Sequence, residues 1–171
     1  MLNPNVSGIA TAKDAFYLSS RSGSPTAAKT GLDSKGHMHI HKSDRCPLCA
    51  MFPARYPEFS CALKLTDNRT YYFCSPRCLL RVWGEPTRFL KVSKDKITHI
   101  IVRHYFTGEQ MDGKTALWVS GSNVIGPMGP ALVPLKTHSE VATFKKRHGA
   151  KQVFRLMELT SNDWRKILGN P

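Results

Sequence analysis

The sequence lacks any apolar run that could cross a membrane, which takes about 20 consecutive apolar residues. Its first segment, MLNPNVSGIATAKDAFYLSS, does not have the basic stretch followed by an apolar stretch that marks a secretory signal peptide. No cysteine lies near the start of the chain, where it could carry a lipid anchor. We therefore expect either a cytoplasmic protein or an exported one whose signal is missing from this chain.

Acidic residues are scarce. Asp and Glu number 12 against 25 Lys and Arg, which gives a formal net charge of +13. No pair of carboxylates stands out for general acid–base work, and there is no Ser–His–acid arrangement, phosphate-binding glycine loop or helical HExxH motif. We therefore do not expect an enzyme. The positive charge favours acidic partners, but no basic run is interleaved with aromatic residues, so nucleic-acid binding is not expected.

Residues 1–43 differ in composition from the rest of the chain. Residues 19–36, SSRSGSPTAAKTGLDSKG, are rich in Ser, Gly, Thr and Lys and poor in large apolar residues. We interpret residues 1–43 as a flexible tail and residues 44–171 as the folded, metal-binding domain. The tail ends in a cluster that could hold a metal loosely, although a mobile polar stretch is the simpler interpretation: His37, Met38, His39 and His41.

The remaining sequence predicts an α+β fold. Cys61–Thr66 (CALKLT) alternates between inward and outward positions, as a strand does, and Thr70–Phe73 (TYYF) is β-branched and aromatic. A turn signal separates the two strands, so they predict a hairpin. A helix should then begin at Pro76 with Ser75 as its cap, and a long strand is expected over Ile97–Phe106.

The order strand, strand, helix, strand recurs in the second part of the chain. The recurrence rests on four segments: Ala116–Val119, Ala131–Pro134, Ser139–Arg147 and Gln152–Leu156. Ser139 is predicted to cap the second helix and Gly149 to end it. We therefore predict two similar halves packed as one domain, followed by a C-terminal helix that runs to Leu168.

Five cysteines are present, an odd number, so at least one cannot pair within the chain. Cys46 and Cys49 are spaced as CxxC, and Cys74 and Cys78 as CxxxC. Two close-spaced pairs are more typical of metal or redox chemistry than of a disulfide scaffold. Cys61 follows the alternation of its strand, and we interpret it as a small buried apolar residue.

The segment CPLCAM supplies soft sulfur donors close together. Met51 follows Cys49 by two residues, and in an extended loop this spacing places both side chains on one side of the backbone. Thiolate and thioether sulfurs select Cu(I) over harder ions. A third donor could come from Met128 in GSNVIGPMG, where glycine and proline on both sides predict a tight loop. Each methionine could instead fill a gap in the core.

A zinc site can be drawn from the same region. Cys74 and Cys78 lie at the predicted start of a helix, where the helix dipole stabilises thiolates. With Cys46 and Cys49 on a turn, this is the ligand layout of treble-clef modules, which bind Zn²⁺ tetrahedrally. Cys49 belongs to both sets, so the Cu(I) and Zn²⁺ interpretations compete at this residue. A thiol enzyme is a third alternative, although the prolines after Cys49 argue against the helix that a redox CxxC normally opens.

From about Asp44 to Leu156 the chain resembles the NosL family, the copper-binding accessory proteins of nitrous oxide reductase assembly. The resemblance is carried by CPLCAMFPARYPEF, TYYF, VRHYFTGEQMDGKTALWVSGSNVIGPMGPALVPL and FKKRHGAKQVFRL. It implies a fold of two similar strand-rich halves, in a protein that binds Cu(I) and delivers it to copper-site assembly machinery. It also implies that Cys49, Met51 and Met128 are the copper ligands.

The resemblance further implies a lipoprotein located outside the cytoplasm, whereas this chain has no export signal or lipid-bearing cysteine. Cys74 and Cys78 also stand where many family members have no thiols. We accordingly predict a Cu(I) chaperone without catalytic turnover, periplasmic or in the cell envelope by resemblance, which serves a copper enzyme such as nitrous oxide reductase. The alternative is a structural or sensory module that binds zinc or another heavy metal through Cys46, Cys49, Cys74 and Cys78.

Overall fold

The computed structural model describes residues 25–168. The first sheet has four antiparallel strands, which are β1 (Cys61–Leu65), β2 (Thr70–Phe73), β3 (Ile97–Arg103) and β4 (Gln110–Asp112). Their order across the sheet is β2-β1-β3-β4. The hairpin of β1 and β2 pairs Cys61 with Phe73, so the residue that precedes Cys74 lies opposite the start of β1.

Two helices connect the hairpin to β3. The first, α1, spans Pro76–Gly84, and a short second helix, α2, spans Pro86–Leu90. Ser75 caps α1, because its side chain accepts a hydrogen bond from the amide of Cys78. Pro76 occupies the first helical position, where its missing N–H costs nothing. The predicted cap and first residue of this helix are therefore confirmed.

The second sheet is made of three antiparallel strands, β5 (Leu117–Ser120), β8 (Val133–Leu135) and β9 (Gln152–Phe154), in the order β8-β5-β9. A small hairpin of β6 (Ile125–Gly126) and β7 (Gly129–Pro130) projects from the connection between β5 and β8.

The two halves repeat one arrangement. Helix α3 (His138–His148) lies between β8 and β9 in the chain, as α1 lies between β2 and β3. In the first half β1 lies between β2 and β3, and in the second half β5 lies between β8 and β9. The closing helix, α4, spans Ser161–Leu168. The predicted α+β fold of two similar halves with a C-terminal helix is confirmed.

The main hydrophobic core joins the first sheet, α1 and α4, and it also takes in Trp118 of β5. The indole of Trp118 is fully buried and donates to the carbonyl of Gly113 over 2.9 Å. Trp164 of α4 packs edge-on against Trp83 of α1, with the ring centroids 5.2 Å apart. A second cluster packs α3 on the second sheet, mainly through Phe144.

Several predicted element bounds are wrong, including the end of the long strand and the cap of α3. The long strand ends at Arg103 and not at Phe106, because the chain turns there and the amide of Gly108 donates to the carbonyl of His104. The cap of α3 is Thr137 and not Ser139. Within residues 25–168, no helix is long and apolar enough to cross a membrane.

Residues 25–43 lie along the outer face of the first sheet. The amide of Ala28 donates to the carbonyl of Thr70, and Met38 is buried beside Ala62 and Tyr72. The hydroxyl of Tyr72 donates to the carbonyl of Gly31. This part of the predicted tail is therefore packed, while residues 1–24 lie outside the described residues, so the domain boundary after residue 43 stays a prediction.

Candidate metal centre

The segment CPLCAM forms a tight loop before β1. The amide of Cys46 donates to the carbonyl of Met51, and the amide of Ala50 donates to the carbonyl of Cys46, over 2.8 and 2.9 Å. Ala50 closes the loop in the left-handed region, with φ of 62°. The loop is held with the side chains of Cys46 and Cys49 buried, at 0% and 5% exposure.

The second pair of cysteines brackets the start of α1. Cys74 is the last residue before the Ser75 cap, and Cys78 lies in the first turn of the helix. Both are buried, at 0% and 1% exposure. The capping geometry therefore sets two thiols at the N-terminus of α1.

The four thiols form one cluster. Their Sγ atoms all lie within 4.8 Å of one another. The Sγ of Cys74 is 3.3 Å from that of Cys49 and 3.8 Å from that of Cys78. Within residues 25–168, no His, Asp or Glu side chain joins this group. The arrangement offers a metal ion four sulfur ligands and nothing harder, so it fits Cu(I) or Zn²⁺ and not Mg²⁺ or Ca²⁺.

The pKa values of these thiols differ widely from one another. Burial raises the pKa of Cys46, but hydrogen bonds from the other three sulfurs outweigh it and hold that pKa well below its usual value. The pKa values of Cys74 and Cys78 are raised well above the usual one, chiefly by their hydrogen bonds with Cys46 and Cys49. Cys46 therefore ionises before Cys74 and Cys78, and neighbouring S–H groups stabilise its thiolate.

The two predicted methionine ligands are half-buried against the same hydrophobic core as the cysteines. Met51 directly follows the cysteine loop. Met128 lies on the turn between β6 and β7 and lines a small cavity together with Ser75 and Pro76, the residues that follow Cys74 in the chain. The structure thus gathers the four cysteines into one cluster. It places Met51 next to the loop in sequence and Met128 across the fold, near the start of α1.

The remaining candidates lie apart from the cluster. His37 and His39 both face the same carboxylate oxygen of Asp33, at 3.4 and 3.2 Å, and His41 contacts Ser43. Cys61 is fully buried, and burial raises the pKa of its thiol, as expected of a small core residue.

Sequence reasoning missed two features around the cysteine loop. The buried carboxylate of Asp44 accepts hydrogen bonds from the amides of Lys29 and His41, so it ties the preceding segment to the loop. No local pattern marks this role, because both amides precede Asp44 in the chain and that of Lys29 lies 15 residues away.

The second missed feature is a stack of three side chains beside the loop. The guanidinium groups of Arg45 and Arg55 lie 4.1 and 4.9 Å from the ring centroid of Phe52. Both arginines are exposed, and within residues 25–168 neither lies within ion-pair distance of a carboxylate. No sequence pattern marks such a stack. The surface next to Met51 is therefore positively charged.

Comparison with known proteins agrees with the fold and the motifs. The solved structure of the copper chaperone NosL from Shewanella denitrificans superposes with a TM-score of 0.60 at 20% identity, covering 72% of this chain and 95% of that one. At this identity the likeness shows the fold. No curated protein sequence matches the chain. The NosL family model matches residues 37–164, well over half of the 171 residues, so the chain belongs to the NosL family.

Proposed function

We propose that this protein is a Cu(I) chaperone, which binds the ion through sulfur and delivers it for maturation of a copper enzyme such as nitrous oxide reductase. Family membership supports this role, as does the shared fold with a solved NosL structure described as a copper chaperone. The copper ion is cargo in this role, so the protein catalyses no reaction of its own.

The observation that carries the proposal is the soft-donor set around Cys49. Cys49 is the most exposed of the four clustered cysteines, at 5% against 1% or less for the others. Met51 follows it by one turn residue, and Met128 is half-buried on a loop held by Gly126 and Gly129. We propose that Cys49, Met51 and Met128 hold the cargo ion. One thiolate and two neutral thioethers suit a monovalent soft ion.

Delivery then proceeds by ligand exchange. An incoming sulfur from the partner binds the ion before the chaperone's own ligands leave, so the ion never passes free through water. Thioethers favour this step because they are neutral and need no proton on release. Partly exposed methionine donors give the partner access that fully buried thiols would not.

The proposed partner is copper-site assembly machinery or the client enzyme itself, which presents an acidic docking surface. The net charge of +13 and the exposed arginines beside Phe52 favour such a surface. We propose that the protein acts in the periplasm or cell envelope, with membrane association. If docking is electrostatic, the rate of copper transfer to the partner should fall as ionic strength rises. A transfer rate that does not change with salt concentration would exclude electrostatic docking.

Cu(I) titration of the reduced, metal-free protein against a chromophoric chelator tests the proposal. We expect one tightly bound Cu(I), with affinity weakened more than about tenfold in Met51→Ile and Met128→Ile, since even residues behind metal ligands contribute about 10–100-fold. Met157→Ile is the matched control, because Met157 is 70% exposed and far along the chain from the site.

Unchanged affinity in both methionine variants would contradict the assigned ligands. If the protein only binds zinc, we expect this result, because replacing either methionine would then leave the Cu(I) affinity unchanged. Zinc measured in parallel on the same samples separates this alternative from the copper chaperone.

A further inference from the structure

We infer that Cys46, Cys49, Cys74 and Cys78 form a tetrathiolate site for Zn²⁺ that fastens the cysteine loop to the start of α1. This is a structural role for the cluster that differs from the carriage of Cu(I). It rests on the proposed function only through Cys49, which belongs to both ligand sets.

The sulfur spacing fits a tetrahedral ion. Zn²⁺ binds thiolate sulfur at about 2.3 Å, so four sulfurs at tetrahedral angles lie about 3.8 Å from one another. Here the Sγ atom of Cys74 lies 3.3 Å from that of Cys49 and 3.8 Å from that of Cys78, and no pair of the four sulfurs exceeds 4.8 Å. Small movements of the four side chains would bring every sulfur to bonding distance of one central ion.

The surroundings are those of a closed site. Three of the four cysteines are at most 1% exposed and Cys49 is 5% exposed, so little room is left for a water or a substrate at the ion. Structural zinc sites are closed in this way, whereas catalytic sites keep one position open. The amide of Cys78 donates to the hydroxyl of Ser75, so this amide is satisfied without the thiols.

The topology would let a bound ion cross-link two separate segments of the chain. The loop at Cys46–Cys49 and the helix start at Cys74–Cys78 are joined through the β1–β2 hairpin, in the order turn, hairpin, helix of a treble-clef module. Among the described residues the loop has no regular strand or helix pairing with α1. One ion held by both segments would close this stretch of chain and convert binding energy into folding stability.

Sharing of Cys49 has a consequence for the cargo. An ion that binds all four thiolates leaves only thioethers for Cu(I), so Zn²⁺ and Cu(I) compete for this sulfur. Saturating Cu(I) should therefore lower the apparent zinc affinity of the wild-type chain.

The test uses the full-length chain, reduced and stripped of metal, with Zn²⁺ titrated against a chromophoric chelator and Co²⁺ as a spectroscopic probe. We expect one equivalent of Zn²⁺, a higher midpoint of thermal unfolding with zinc, and the intense sulfur-to-cobalt charge-transfer and visible bands of a tetrahedral tetrathiolate. Cys74→Ser and Cys78→Ser should each weaken zinc binding more than about tenfold. Cys61→Ser, which removes a buried thiol outside the cluster, is the matched control.

Two results would overturn the inference: no stoichiometric Zn²⁺ on the wild type, or a cobalt spectrum with fewer than four thiolates. The cobalt spectrum is read on the wild type, so it decides the matter even if a cysteine variant fails to fold. Met128→Ile should leave zinc binding unchanged. Its Cu(I) affinity tests the proposed function separately, so either proposal can fail while the other stands.

Discussion

At the scale of single residues, the cysteine loop depends on one unusual backbone conformation. Ala50 has φ of 62°, a region in which residues other than glycine are disfavoured by about 1–2 kcal/mol. Its amide and carbonyl are both used, by Cys46 and by the guanidinium of Arg45. The strain is therefore held in place by hydrogen bonds that also position the two thiols.

Replacing Ala50 by glycine should stabilise the metal-free protein. Glycine relieves the left-handed strain and keeps both backbone hydrogen bonds, but it costs about 0.5–1 kcal/mol of chain entropy, so we expect a net gain of up to about 1.5 kcal/mol. The measurement is chemical unfolding monitored by circular dichroism. Ala54→Gly is the control: Ala54 is exposed and has no positive φ, so the same change there should only destabilise. Equal destabilisation by both variants would show that Ala50 carries no strain.

The cysteine pairs were predictable because spacing alone marks them. CxxC on a turn and CxxxC at a capped helix start each predict two thiols facing one way, and the structure brings all four together. Asp44 was not identified, since its role depends on amides at Lys29 and His41 in a segment that sequence reasoning assigned to a flexible tail. Whether Met51 and Met128 bind metal stays a prediction.

At the scale of elements, the cap of α3 shows how a local signal can be misread. The helix begins after Thr137, whose hydroxyl accepts from the amide of Glu140 while the Glu140 carboxylate accepts from the amide of Thr137. This T-x-x-E capping box was legible in the sequence. Ser139 is also a residue type that caps helices, but it lies inside the first turn.

Thr137→Ala should therefore destabilise the protein by about 1 kcal/mol, within a range of about 0.5–2. Ser139→Ala should change the free energy of unfolding by less than about 0.5 kcal/mol, as for an ordinary surface position. Urea unfolding of both variants at neutral pH measures the difference. A larger loss in Ser139→Ala than in Thr137→Ala would contradict the observed cap.

The capping box also carries a pH dependence. Burial raises the pKa of Glu140, but hydrogen bonds from the amides of Lys136 and Thr137 outweigh it and leave that pKa below its usual value. The stability that Glu140 contributes is therefore full above the ordinary carboxyl pKa and is lost as the pH falls through the lower, folded-state pKa.

Other elements were predictable where the segment is long enough to show the residue pattern of a helix or a strand. Thr70–Phe73 has the bounds that its β-branched and aromatic residues predict, and α1 begins at Pro76 as expected. The short strands β4, β6 and β7 were missed, because two or three residues cannot show an alternation. They depend on pairing partners that only the folded chain supplies.

At the scale of the whole molecule, the proposed metal ligands come from both halves of the fold. The four cysteines all belong to the first half, whereas Met128 lies on the β6–β7 turn of the second. A zinc ion would stabilise the first half alone, while a Cu(I) ion held by Cys49 and Met128 would join the halves. The repeated element order was predictable from the chain, but the approach of Met128 to the start of α1 was not, since it depends on how the halves pack.

The most direct test of Cu(I) carriage on sulfur is X-ray absorption at the copper edge, on the full-length reduced protein loaded with one equivalent of Cu(I). The account predicts a first shell of sulfur atoms only, with one sulfur fewer in Met128→Ile and no change in Met157→Ile. A shell dominated by nitrogen or oxygen would contradict it, because the copper would then lie on ligands such as His37, His39 and His41 and not on the cysteine loop.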